Sequence, residues 1–234
     1  PYPLTIVQGD AALAEFERLK ACNEGSPVVL GGPSELALIH ELYEIACTHE
    51  PSTGLVLERA AEMHFPDTYR ALKARDLKAL QRRCQGIGGG SDEFPAELMG
   101  EWPDHIDVDG LYLTAAYEVE TGDPWPRTHI ARIPTRDWTE IPAYLRSGGW
   151  NDMPEPAALV AALRSWRDRY GAELVGFTND TMNIRVTRPP ASREAALELA
   201  REHYLFCSDA LNELTLRELA ALLIENDWWY FWWD

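Results

Sequence analysis

The sequence predicts an α/β fold of the α+β kind: a mixed, largely antiparallel sheet flanked by helices in a single compact domain (1–234). Three observations predict it. Apolar periodicity is mostly helical through residues 1–110 and changes to strand-like at Leu111, after which strands and helices are mixed to residue 234. The stretch Leu145 to Asp180 packs a glycine hinge, an amphipathic helix and a strand into one run. The chain closes on Asp227-Trp-Trp-Tyr-Phe-Trp-Trp-Asp234, and burying each large apolar side chain is worth about 1.5–3 kcal/mol, so this tail belongs in the sheet.

Taken in order, Tyr2 to Val7 is extended, and Asp10 is placed to cap a helix carrying Leu13, Phe16 and Leu19 on one side. Pro27 to Leu30 reads as a short buried strand. Gly31-Gly32-Pro33 follows, with Ser34 as the N-cap of a helix through Cys47. That helix carries two apolar stripes, Leu36, Ile39, Tyr43 and Ala46, and Leu38, Leu42 and Ile45, with His40 at the core edge between them. Helices over Thr53 to His64 and Asp67 to Gln85 come next, separated by Phe65-Pro66. The second carries the chain's one basic concentration, Arg70 to Arg83, read as a solvated face.

From Leu111 to Val119 and Thr128 to Ile133 the alternation predicts an antiparallel hairpin about Thr121-Gly122-Asp123-Pro124, with a further short strand at Ile141 to Leu145. A helix over Ala157 to Tyr170 presents Leu159, Leu163, Trp166 and Tyr170 to a sheet and stops at Gly171. Strands at Glu173 to Thr178 and Thr181 to Thr187 follow, the second alternating Met182, Ile184 and Val186 with Asn183 and Arg185. Ser192 caps the next helix. Thr215 and Glu218 form a capping box for the last. In the tail, period two sends Trp228, Tyr230 and Trp232 to one face and Trp229, Phe231 and Trp233 to the other. Either both faces are covered, or one of them lines a ligand pocket.

Composition bounds the function. With 46% hydrophobic and 25% charged residues over 234, the chain is an ordinary globular protein. A formal net charge of −17 argues against nucleic-acid binding, which needs clustered Lys and Arg, and suits a basic protein partner. No apolar run reaches the roughly 20 residues of a membrane helix, and PYPLTIVQGD lacks the features of a signal peptide, so a cytoplasmic location is expected. Cys22, Cys47, Cys84 and Cys207 form no C-x-x-C pair and are expected to be buried free thiols.

Motifs of catalysis are missing: no H-E-x-x-H, G-x-S-x-G or nucleotide fingerprint occurs, so no catalytic residue is named and no cofactor is expected. Gly86 to Ser91 lacks the Gly-Lys-Ser/Thr of a phosphate loop and reads as a connector. Asp107, Asp109 and Gly110 match three positions of a calcium loop. His105 at its first position and Ala116 at its twelfth break the match, so no metal site is expected. His129 and His203 lie on elements that could bring them to a carboxylate. The Trp150-Asn151-Asp152 turn, between Gly148-Gly149 and Pro154, is the candidate binding site, with two plainer roles open to it: capping the Ala157 helix or plugging the core.

The runs IPAYLRSGGWNDMPEPAALVAALRSWRDRYGAELVG, TRPPASREAALELAREHYLFCSD and DWWYFWWD together resemble the bacterial domain-of-unknown-function family 4253. The resemblance spans the 111–234 part, and PVVLGG looks like the N-terminal part of longer members. In that family a cysteine commonly stands where this chain has Met153 and a proline where it has Ser208, which weakens a thiol or metal role for the loop. The family implies no activity. Two function classes follow from the residues. One is a non-catalytic acidic binding protein, immunity- or antitoxin-like, that blocks a basic effector. The other is a small-ligand binder or enzyme with its pocket at Trp150-Asn151-Asp152.

Overall fold

In the computed structural model residues 2–49, 52–71, 96–106, 112–211 and 214–233 are described. Six strands, β1 (Leu4–Val7), β2 (Ser26–Gly31), β3 (Thr128–Ile133), β4 (Glu173–Phe177), β5 (Thr181–Arg185) and β6 (Trp228–Trp232), form one sheet in the order β1-β3-β2-β4-β5-β6. Only β2 and β4 run parallel; every other neighbouring pair is antiparallel. The sheet is therefore mixed and largely antiparallel, as the sequence predicts.

The main helices are α1 (Ala12–Ala21), α2 (Pro33–His49), α3 (Thr53–Glu62), α4 (Ile141–Leu145), α5 (Pro156–Tyr170), α6 (Arg193–Phe206) and α7 (Leu216–Glu225). Both faces of the sheet are covered. On one, Val28, Ile133, Leu174, Ile184, Trp229 and Phe231 pack with Trp166 of α5, Leu199 of α6 and Leu219 of α7. On the other, Val29, Ile130 and Val175 pack with Phe16 of α1 and with Leu113 and Ala115 of the 112–117 loop. Trp166 is the hub of the larger core, stacked on Phe231 at 5.3 Å and edge-on to Trp229 and Phe206.

Local signals that satisfy backbone groups hold. Ser192 accepts from the Ala195 N–H to open α6, and Thr215 with Glu218 makes the expected reciprocal capping box of α7. Gly171 closes α5 in the left-handed conformation.

Several expectations are corrected. Ile141 to Leu145 is a helix, not a strand; Pro142 suits its first turn and would break a ladder, and a short apolar run has no periodicity to tell the two apart. The hairpin over Leu111 to Val119 is not formed. Thr114–Ala116 is a 3-10 turn, a lone bridge joins Tyr117 to Pro124, and β3 pairs instead with β1 and β2. Asp10 lies inside a 3-10 turn, Gly9–Ala11, and does not cap α1. Ser34 lies inside α2, whose first residue is Pro33. The second stripe of α2 is partly in water, with Leu38 and Ile45 exposed and His40 exposed beside them.

The aromatic tail forms a strand at the sheet edge, next to β5, and is not inserted between strands. Trp229, Phe231 and Trp233 are buried, whereas Trp228 and Tyr230 are half-buried and Trp232 is 37% exposed. Cover on both sides of the tail is thus not met. Cys207 is a buried thiol, but Cys22 is exposed and Cys47 half-buried. Most of the Asp67 to Gln85 helix with its basic face, Cys84, the glycine-rich connector and Asp107 to Gly110 lie outside the described residues. Among the described residues no helix is long and apolar enough to cross a membrane, and no cluster of three metal-ligating side chains occurs.

Candidate functional site

The parallel pair β2 and β4 ends where α2 begins, and the carboxyl ends of parallel strands are where open α/β sheets leave a crevice for ligands. A cleft of about 310 Å3 lies there. Its carboxylates come from Glu35, in the first turn of α2, and Asp180, in the β4–β5 turn; its aromatic walls are Trp125, Tyr117, Tyr230 and Trp232.

Each wall has a local cause. Gly32 lets Trp125 lie directly on the backbone: a Cβ there would stand 2.6 Å from the indole Cδ2. Backbone bonds hold Trp125 from both sides, its N–H donating to Ala116 O (3.0 Å) and its carbonyl accepting from the Gly9 N–H (2.8 Å). The 112–117 loop is pinned to the sheet by Asn183, which is fully buried. Asn183 Oδ1 accepts from the Ala115 N–H (3.0 Å), and its Nδ2 donates to Thr114 Oγ1 (2.8 Å) and Tyr112 O (3.3 Å). A buried amide with both ends satisfied fixes a loop more firmly than apolar contact alone, because each bond broken leaves a buried polar group unpaired. Asn183 is thus not the solvent-facing member of an alternating strand; the loop covers that face.

Asp180 is oriented within its own turn. Thr178 Oγ1 and Thr181 Oγ1 each donate to Asp180 Oδ1 at 3.0 Å. Ser34 Oγ donates to Glu35 Oε2 at 3.0 Å. Neither carboxylate has a cationic partner among the described residues. Elsewhere the carboxylates of Glu202, Asp137 and Glu173 are neutralised by Arg169, Arg167 and Arg185. Burial pushes the Tyr230 hydroxyl pKa up, with Asp180 adding to the rise and a hydrogen bond with Thr181 opposing it. The phenol stays protonated, a neutral wall beside two negative groups.

Chemically, the cleft suits a cation. Two unneutralised carboxylates attract an ammonium or guanidinium group, and indole and phenol faces add cation–π attraction of about 0.5–2 kcal/mol. An anion would meet only repulsion.

The Trp150-Asn151-Asp152 turn lies elsewhere and does not line this cleft. Gly149 N–H donates to Met153 O (3.0 Å) and Met153 N–H to Trp150 O (2.8 Å), which closes the turn, and a Cβ on Gly148 would meet Pro154 O at 2.2 Å. Asn151 and Asp152 are exposed in the left-handed region (φ 44 and 57). The N-cap of α5 is Glu155, with no side-chain cap bond, so neither Asp152 nor Asn151 caps that helix. Trp150 is half-buried, its Nε1 buried with no hydrogen-bond partner among the described residues. Met153 is core.

Of the tail residues named from sequence, Tyr230 and Trp232 line the cleft, so one face of the tail does line a cavity. Glu35, Trp125 and Asp180 escaped sequence reasoning. The one local signal was Gly31-Gly32 between a strand and a helix, which marks a close backbone approach. Among the described residues His129 has no carboxylate partner; its Nδ1 lies 3.2 Å from Gly31 O. His203 sits among Trp166, Trp229 and Phe231.

The family model described as Domain of unknown function (DUF4253) matches residues 129–234. No curated protein and no solved structure matches the chain.

Proposed function

We propose from the geometry that the protein, whose residues 129–234 match the model of a family of unknown function (DUF4253), is a non-catalytic acidic binding protein whose cleft receives a lysine or arginine of a basic protein partner. The observation that carries this reading is the pair of unneutralised carboxylates, Glu35 and Asp180, among aromatic walls. The net charge of −17 supports it at long range, because an acidic surface steers a basic partner toward the cleft. An immunity- or antitoxin-like block of a basic effector is the biological form this binding takes. A cytoplasmic setting is part of the same proposal.

A second reading, a small ligand held at Trp150-Asn151-Asp152, is favoured by the two exposed left-handed residues and the unpartnered indole N–H, since strained backbone collects at functional turns.

One experiment separates them. The wild-type chain, Glu35→Gln/Asp180→Asn and Asp152→Gly are immobilised and exposed to lysate of the source cells at about 0.1 and about 1 M salt, between which the screening length falls from about 10 to about 3 Å. Argininamide is titrated against each in parallel. The expected result is a basic partner and saturable argininamide binding, both lost in the double variant and the partner lost at high salt, with Asp152→Gly unchanged. Equal capture by wild type and double variant would overturn the cleft reading, and loss in Asp152→Gly alone would move the site to the turn.

A further inference from the structure

A second cavity, about 210 Å3, lies between α7 and the edge strand β6, separate from the acidic cleft apart from sharing Tyr230. Leu219, Leu222 and Leu223 of α7 line it with Trp228, Trp229 and His203. Among the described residues no carboxylate, ammonium or guanidinium lines it. Two of its lining side chains carry buried polar atoms without a hydrogen-bond partner: Nε2 of His203 and Nε1 of Trp229, residues that are each 2% exposed. Their rings lie 4.7 Å apart, centroid to centroid. Buried polar groups in native proteins are nearly always paired, so two orphans on neighbouring rings at one cavity, without a partner among the described residues, point to a polar group taken up there.

We propose that this cavity binds a small uncharged alcohol of single-ring size, its ring among the α7 leucines and its hydroxyl bridging Trp229 Nε1 and His203 Nε2. The chemistry selects the class. An indole N–H only donates, so the group it meets must accept; a neutral imidazole nitrogen accepts or donates according to tautomer; a hydroxyl does both at once. The volume exceeds the 150 Å3 or so that holds benzene in an apolar cavity. A charged ligand would be stripped of water with no counter-ion to meet it. His203 adds none, because burial, with Arg169 acting the same way, keeps its imidazole neutral. The site is independent of the basic-partner reading, since it uses neither Glu35 nor Asp180.

The test titrates the full 15N-labelled chain with phenol, benzene and benzoate, following the Trp229 indole N–H resonance, assigned with Trp229→Phe. Phenol is expected to bind saturably and shift that resonance. Benzene should bind about tenfold more weakly, the loss of roughly one hydrogen bond, and benzoate should not bind. His203→Leu should weaken phenol by a similar factor, and Leu222→Trp, which fills the cavity, should abolish the shift. Absence of saturation by phenol would mean that water alone serves the two atoms and would overturn the proposal. So would equal binding of benzene and phenol, a comparison made on the wild type that needs no variant to fold.

Discussion

Burial holds His203 neutral, its imidazole pKa pushed down to about 3, first by desolvation and then by the Arg169 guanidinium. An unfolded histidine titrates near 6.5. Between the two values the unfolded chain binds a proton that the native chain refuses. The native state's advantage is therefore whole above about pH 6.5 and is lost as pH falls, by up to about 1.4 kcal/mol per pH unit. Urea unfolding of wild type and His203→Leu at pH of about 7, 6 and 5 checks this. The carboxylate contributions common to both cancel, so the stability gap between the two proteins should shift toward the variant as pH falls; parallel pH profiles would show that His203 does not resist protonation. Sequence placed this histidine on a helix within possible reach of a carboxylate. Its neighbour Glu202 instead accepts two hydrogen bonds from the Arg169 guanidinium, at 2.9 and 3.0 Å, and leaves the imidazole to the aromatic core. Which group each of these two adjacent buried residues meets is decided by Trp166, Arg169 and Trp229 on other elements, and no local spacing records it.

Elements whose ends are fixed by their own residues were legible, and elements fixed by distant partners were not. The Ser192 cap, the Thr215–Glu218 box and the Gly171 stop satisfy backbone groups within a few residues, so the boundaries of α5, α6 and α7 follow from local sequence. The 112–117 loop has alternating residues like a strand, yet Asn183, some 70 positions away, takes its backbone groups and holds it as a 3-10 turn. The acidic cleft was hidden for the same reason, being assembled from residues 35–38, 114–125, 178–181 and 230–232. The tail was legible as a strand because six aromatics leave no other choice, though its place at the edge was not. Its buried face predicts its role. Trp229, Phe231 and Trp233 are each at most 2% exposed, and at about 1.5–3 kcal/mol apiece their burial rivals the roughly 5–15 kcal/mol by which domains are stable. A chain ending at Asp227 should therefore show no cooperative thermal transition by circular dichroism. A truncated chain that melts near the wild-type temperature would make β6 an appendage.

At the scale of the whole molecule, charge acts in two directions that salt separates. A net −17 makes the free chain repel itself, which works against the compact state, while the same charge draws a basic partner in. The ion pairs that oppose the repulsion are mostly at the surface. Arg18 of the Arg18–Glu15 pair is 61% exposed and Glu24 of the Arg132–Glu24 pair 69%, and exposed pairs contribute about 0–1 kcal/mol each. Repulsion summed over the surface should therefore outweigh them. Raising sodium chloride from about 0.05 to about 0.5 M screens both terms and should raise the melting temperature of the free protein. Binding of the basic partner should weaken over the same range. Opposite signs in the two measurements are what this charge distribution requires, because a loss of affinity through salt-induced unfolding would give the same sign in both. Differential scanning calorimetry of the free chain beside the salt series of the binding assay provides the comparison; a melting temperature that falls with added salt would show local ion pairs, and not net repulsion, to dominate the electrostatics of the fold.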